Sequence, residues 1–157
     1  MTDGEAFDGP GIARALVDDA ETAALATLGD DGAPFASLVT VATTARREPT
    51  LLLSDLAVHT RNLKRDARAS LLFTIPNDDD TDPLTRARLT VTGTIAPDPD
   101  TASRDRFLQR HSEAAGYADF GDFAFYRLTV DRGHLVAGFG RIVEVSRADL
   151  LTSPVAT

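Results

Sequence analysis

The chain contains no cysteine, no tryptophan and one methionine. Without cysteine there is neither a disulfide nor a thiolate metal site, a composition that suits a reducing compartment. No run approaches the roughly 18 consecutive apolar residues of a membrane-spanning helix. The opening Met1-Thr2-Asp3-Gly4-Glu5 carries acids where a secretion signal needs bases. The expectation is a cytoplasmic protein with no membrane partner. Bases are also scarce: 16 Lys and Arg against 24 Asp and Glu leave a net charge of −8. That surface repels nucleic acid, so any anionic ligand needs a local basic spot. Three histidines without carboxylates at ligand spacing give no zinc or iron site. No Gly-x-Ser-x-Gly elbow is present, and no Gly-x-Gly-x-x-Gly follows the first strand. No side chain stands out as an acid–base catalyst.

What is present reads as one domain over residues 1–157, with residues 1–10 a loose Gly- and Asp-rich leader. Ile12, Leu16 and Val17 share a helical face over 11–20. Strands follow at 23–28 and 34–42, joined by the hairpin turn Gly29-Asp30-Asp31-Gly32. A third strand covers 50–54, and a helix is expected over 59–66. The stretch 69–75 is apolar on both faces and reads as a fully buried strand. Pro76 to Pro83, with Asp at 78, 79, 80 and 82, reads as an exposed loop. A strand over 88–95 is broken by Pro97 and Pro99, and Asp100 or Thr101 caps a helix to His111. Closing strands are expected at 123–130, 134–137 and 141–145, with Ser146 capping a last helix over 147–151. Seven or eight strands, many joined by tight turns, with three or four short helices, give a mainly β, α+β fold: a closed or partly closed antiparallel β-barrel with covering helices.

The most informative stretch runs from Leu51 to Phe73. Thr60, Arg61 and Asn62 are expected to open the helix, and free N–H groups at a helix start attract anions. Ser54 and Thr60 bring hydroxyls, and Arg61, Lys64, Arg65 and Arg68 fall within two turns. This is a local inversion of charge in an acidic chain, suited to a terminal phosphate. The plainer reading makes Thr60 a helix cap and the bases the wet face of an amphipathic helix anchored by Leu56 and Leu63.

The wider pattern adds to this. Gly32-x-Pro34-x-x-Ser37 is followed by Leu52-Leu53-Ser54-x-Leu56-Ala57-x-His59-Thr60-x-Asn62-Leu63 and Arg68-x-Ser70-Leu71-Leu72. Together they resemble the FMN-binding split-barrel family related to pyridoxamine 5′-phosphate oxidase. Arg106-Phe107-Leu108-x-Arg110-His111, Tyr117-x-x-Phe120-x-Asp122-Phe123 and His134-Leu135-Val136-x-Gly138-Phe139-Gly140 resemble its heme-utilisation oxygenase-like branch. The resemblance covers about residues 20–145. It implies a homodimer of split barrels with FMN held between subunits and a small-molecule substrate. By position it places Ser37 and Val39 beneath the flavin ring, and Ser54, His59, Thr60, Arg61, Asn62 and Lys64 on the phosphate and ribityl side. Two features depart from the family. Thr40 and Val41 stand where its Arg-to-Lys strand motif would be, and there is no Trp- and Arg-bearing C-terminal segment. The second departure implies that the chain is not itself pyridoxamine 5′-phosphate oxidase.

The leading functional expectation is an FMN-dependent oxidoreductase, in which the flavin does the electron chemistry. The alternatives are a heme-binding or heme-degrading protein using the same cleft, and a cofactor-free binding module. His134 has two readings, a heme ligand or a hydrogen-bonded structural residue, and His111 is expected at a helix C-terminus. Half of the aromatic residues crowd into 117–126 and read as core or dimer interface.

Overall fold

The structure is a computed structural model and describes residues 7–75, 82–138 and 140–151. The stretch 76–81 of the expected acidic loop therefore lies outside the described residues, as do residues 1–6 of the expected leader and Phe139. Helix α1 spans Gly9–Asp19 and starts earlier than its apolar stripe suggests. Asp8 accepts from the Gly11 amide, and Pro10 suits a first turn that needs no amide donor.

β1 (Thr22–Leu28) and β2 (Pro34–Thr40) form the expected hairpin. Gly32 takes φ +81° in its turn, a conformation that costs a glycine little. β3 (Ala42–Thr43) and β4 (Pro49–Ser54) follow, then α2 (Val58–Arg65), β5 (Arg68–Thr74), β6 (Arg88–Pro97) and α3 (Thr101–Arg110). β7 (Phe123–Val136), β8 (Ile142–Ser146) and α4 (Arg147–Leu150) complete the order. The strands form one antiparallel sheet in the order β2-β1-β5-β6-β7-β4-β3, with β8 on β7. This curled half-barrel with four short helices is the expected fold class.

Three details correct the reading above. The strands expected at 123–130 and 134–137 are one 14-residue strand. Asp131, read as part of a break, is absorbed as a bulge: Thr92 pairs with Arg132 while Gly93 pairs with Val130. The bulge lets one edge of β7 pair first with β4 and then with β8. Pro97 does not break β6 but ends it, opposite Tyr126. β5 is buried on one face only, with Leu71 and Phe73 inside and Leu72 exposed.

The inner face of the sheet carries the main core. Leu25, Leu51, Leu71, Phe73, Leu89 and Leu128 pack there against Ala13, Leu16 and Val17 of α1. A second cluster forms where α3 and the 3-10 turn Ser112–Gly116 cover β4 and β7, with Phe107, Phe125, Leu52 and Ala118 at its centre. His111 stands at the C-terminus of α3 as expected, is buried there, and bonds the Val41 carbonyl through Nε2 at 2.7 Å. The opposite face of β2, β1, β5, β6 and β7 carries a row across the sheet: Leu38, Ala24, Leu72, Thr90, His134 and, on β8, Glu144. Every member of that row is exposed or half-buried.

Candidate functional site

The connection from β4 into α2 is built by local hydrogen bonds. Ser54 Oγ donates to Asp122 Oδ2 at 2.8 Å and accepts from the Leu56 amide. Helix α2 then starts at Val58, with Ala57 as its N-cap and no side-chain cap. Thr60 is therefore not the cap. It lies inside the helix, fully buried, and its hydroxyl has no hydrogen-bond partner in the structure. Asn62 is also buried; its amide donates to Thr27 Oγ1 at 3.0 Å, and its carbonyl oxygen accepts from Arg65. An eight-residue helix is too short to hold itself in water, so Asn62 and the buried Leu63 fix it to the barrel.

His59 occupies the exposed side of the same first turn. Its Nδ1 lies 3.2 Å from Ser37 Oγ on the inner face of β2. Burial lowers its pKa, so the ring is neutral at pH 7. Phe35 is on the same face of β2 as Ser37, two residues away. Phe35 and Val58 line a cleft of about 310 Å³ together with Arg61, Asn62, Arg65 and Asp30.

The basic patch is smaller than the sequence suggests. Lys64 pairs with Asp55 at 2.9 Å, and Arg68 with Asp66 at 2.7 Å. The Asp55 carboxylate raises the Lys64 pKa, and the Arg68 bonds hold the Asp66 carboxyl at about 2. Arg61 donates to the Leu56 carbonyl and Arg65 to Asn62, neither of which carries a charge. These two guanidinium groups keep their charge for a ligand.

Of the expected site residues, Ser37 and His59 meet directly, while Arg61 and Asn62 line the cleft beside Phe35 and Val58. Val39 belongs to the main core and Thr60 is fully buried inside α2. Ser54 and Lys64 are held by carboxylates. The sequence reading counted Arg65 among the bases at the helix start, and its spacing from Arg61 puts both on one helical face. It did not place Phe35 or Val58 in the site. His134 stands apart on the outer face, its Nδ1 at 3.2 Å from Glu144 Oε2.

The model of the CREG β-barrel family matches residues 5–151. The chain belongs to the CREG β-barrel family. Among relatives, this CREG-type barrel is 35% identical over 101 residues to HOZ, a chloroplastic heme oxygenase from Arabidopsis thaliana. That match covers 62% of this chain and 30% of HOZ. A heme-binding protein from Mycobacterium smegmatis is 32% identical, with a TM-score of 0.87 over 94% of this chain and 62% of that one. The CREG-type barrel thus spans less than two thirds of both relatives. A Clostridium acetobutylicum protein related to a general stress protein of the pyridoxinephosphate oxidase family shares the fold at 17% identity. Its TM-score is 0.68, over 92% of this chain and 99% of that one. The split-barrel resemblance seen in the sequence is thereby upheld. No helix among the described residues is long and apolar enough to cross a membrane.

Proposed function

We propose that this single-domain barrel binds heme beside His59 and works as a homodimer. The observation that carries the reading is the His59–Ser37 pair. With its proton on Nδ1, the ring donates to Ser37 Oγ and leaves Nε2 free, in the neutral state that ligates iron. His59 Nε2 would hold the iron of a heme, whose other nitrogen donors come from the porphyrin. The surrounding residues fit the rest of the group. Phe35 and Val58 offer exposed apolar surface to the macrocycle. Arg61 and Arg65 offer charge-assisted hydrogen bonds to its two carboxylates. Bound heme would supply an iron for oxygen or electron chemistry. The chain's own residues orient the imidazole, cover one face and neutralise the carboxylates. That HOZ is named a heme oxygenase and the M. smegmatis relative a heme-binding protein supports the reading.

The exposed row on the outer face supports the dimer. Leu38 is 76% exposed and Leu72 38%, in a row with the small side chains of Ala24 and Thr90. A second copy is a natural cover for it, at about 800 Å² per partner.

FMN in the same place is the second reading, and one observation favours it. The first turn of α2 has no side-chain cap, so its amides remain available to a phosphate.

Hemin titration of the parent, His59→Ala and His134→Ala proteins tests the proposal. The parent and His134→Ala proteins should give the same saturable Soret band. His59→Ala should weaken binding by roughly 100-fold or more and shift the band. The reverse pattern would move the ligand to His134. A parent protein without a Soret band would overturn the heme reading.

A further inference from the structure

A second concavity lies away from His59, between α1 and the ends of β5 and β6. It encloses about 520 Å³, within the range of small-molecule sites. Ile12 and Leu16 line it from α1, and Ile75 and Ala87 from the strand side. Ile75 remains 41% exposed. The polar groups at the groove are one-sided in charge. Asp19 and Glu21 line it, and no basic side chain does. Neither carboxylate has a hydrogen bond or ion pair among the described residues. Arg110, on the far side of this corner, donates to the Asp19 and Ala20 backbone carbonyls rather than to a carboxylate.

The α1 sequence explains the arrangement. Ile12, Ala15, Leu16, Asp19 and Ala20 follow helical spacing along one stripe. The stripe is apolar for two turns and ends in acid. An apolar trough with two unpaired carboxylates at one end is complementary to a molecule with an apolar body and one positive end.

We propose that this groove is a second ligand site, distinct from the His59 cleft, for a small amphiphilic amine. The ammonium lies at Asp19 and Glu21, and the aliphatic or aromatic body lies on Ile12 and Ile75. The site does not depend on the heme reading.

The test uses the full chain and three probes with the same alkyl body: n-octylammonium, n-octanoate and n-octanol. Methyl NMR shifts of Ile12 and Ile75 report binding. Octylammonium should give saturable shifts confined to these methyls and bind about tenfold tighter than octanoate. Asp19→Asn with Glu21→Gln, both at exposed positions, should bring the two affinities together. Ala15→Trp, which fills the groove from the exposed side of α1, should remove binding of all three. Octanoate binding as tightly as octylammonium would overturn the proposal, as would shifts scattered over the molecule or no saturation at millimolar probe. Ile12 and Ile75 shifts that change with protein concentration alone would assign the groove to a second copy of the chain instead.

Discussion

Gly93 stands at the register shift between β6 and β7, next to the bulge that joins the two halves of β7. A Cβ added there would lie 2.0 Å from the Thr129 carbonyl oxygen and 3.2 Å from Leu128 Cδ2. Carbon and oxygen approach no closer than about 3.3 Å even in favourable strand contacts. Gly93→Ala therefore forces β6 and β7 apart by about 1 Å in a ladder whose spacing is about 4.8 Å. Overpacking of this kind costs about 1–3 kcal/mol, and each lost ladder bond adds about 1 kcal/mol. The expected loss is about 3 kcal/mol. At about 2–4 °C per kcal/mol for a chain of this size, the thermal midpoint should fall by about 6–12 °C. Gly116→Ala is the control, because nothing lies within 4 Å of the added carbon. It should change stability by less than about 0.5 kcal/mol. Thermal unfolding followed by circular dichroism reads both. If Gly93→Ala melts within about 2 °C of the parent, the close approach is not a feature of the folded protein, and the account of the bulge fails.

Three further expectations follow from the site. Asn62→Ala leaves the buried Thr27 hydroxyl without its donor and releases Arg65, so stability should fall by about 1–3 kcal/mol in denaturant titration; an unchanged midpoint would mean that α2 is held by Leu63 alone. The His59 pKa is depressed by burial, so its share of stability is complete above the ordinary histidine value of 6.5 and is lost as pH falls through the lower folded value. Its imidazole resonances should titrate below 6.5, and titration at or above that value would contradict the half-buried placement. Asp66 should titrate near 2 because of its bonds from Arg68, and Arg68→Ala should return it toward 3.8. Asp66 is likewise a depressed group, so its contribution is present above 3.8 and lost toward pH 2. A carboxyl resonance already titrating near 3.8 in the parent would show that the pair does not persist in solution.

Much of the fold was legible in the sequence because local chemistry and tertiary packing agree. The Gly29–Gly32 turn, the Asp100 cap of α3 and the Ser146 cap of α4 all sit where their residue types predict. The misreadings have a common cause, a tertiary contact overriding a local signal. Asp131-Arg132-Gly133 resembles a break, yet pairing with β6 on one side and β8 on the other carries the strand through it. Thr60 resembles a cap, yet the packing that buries α2 takes its side chain inward. The run of bases from α2 into β5 resembles a phosphate cradle, yet Asp55 and Asp66 neutralise two of them. At the candidate site, Ser37 and His59 are 22 residues apart, and no spacing rule links them. The strand around Leu72 reads as buried on both faces because Leu71, Leu72 and Phe73 stand together at its centre; a row facing a partner subunit would give the same pattern as a core.

The most direct test of the central claim is a competition between heme and FMN for the same protein. The purified chain, loaded with equimolar hemin and FMN and then desalted, is read by its visible spectrum. The account predicts a Soret band, near one heme per chain, with no flavin absorbance retained. A retained flavin spectrum without a Soret band would contradict it.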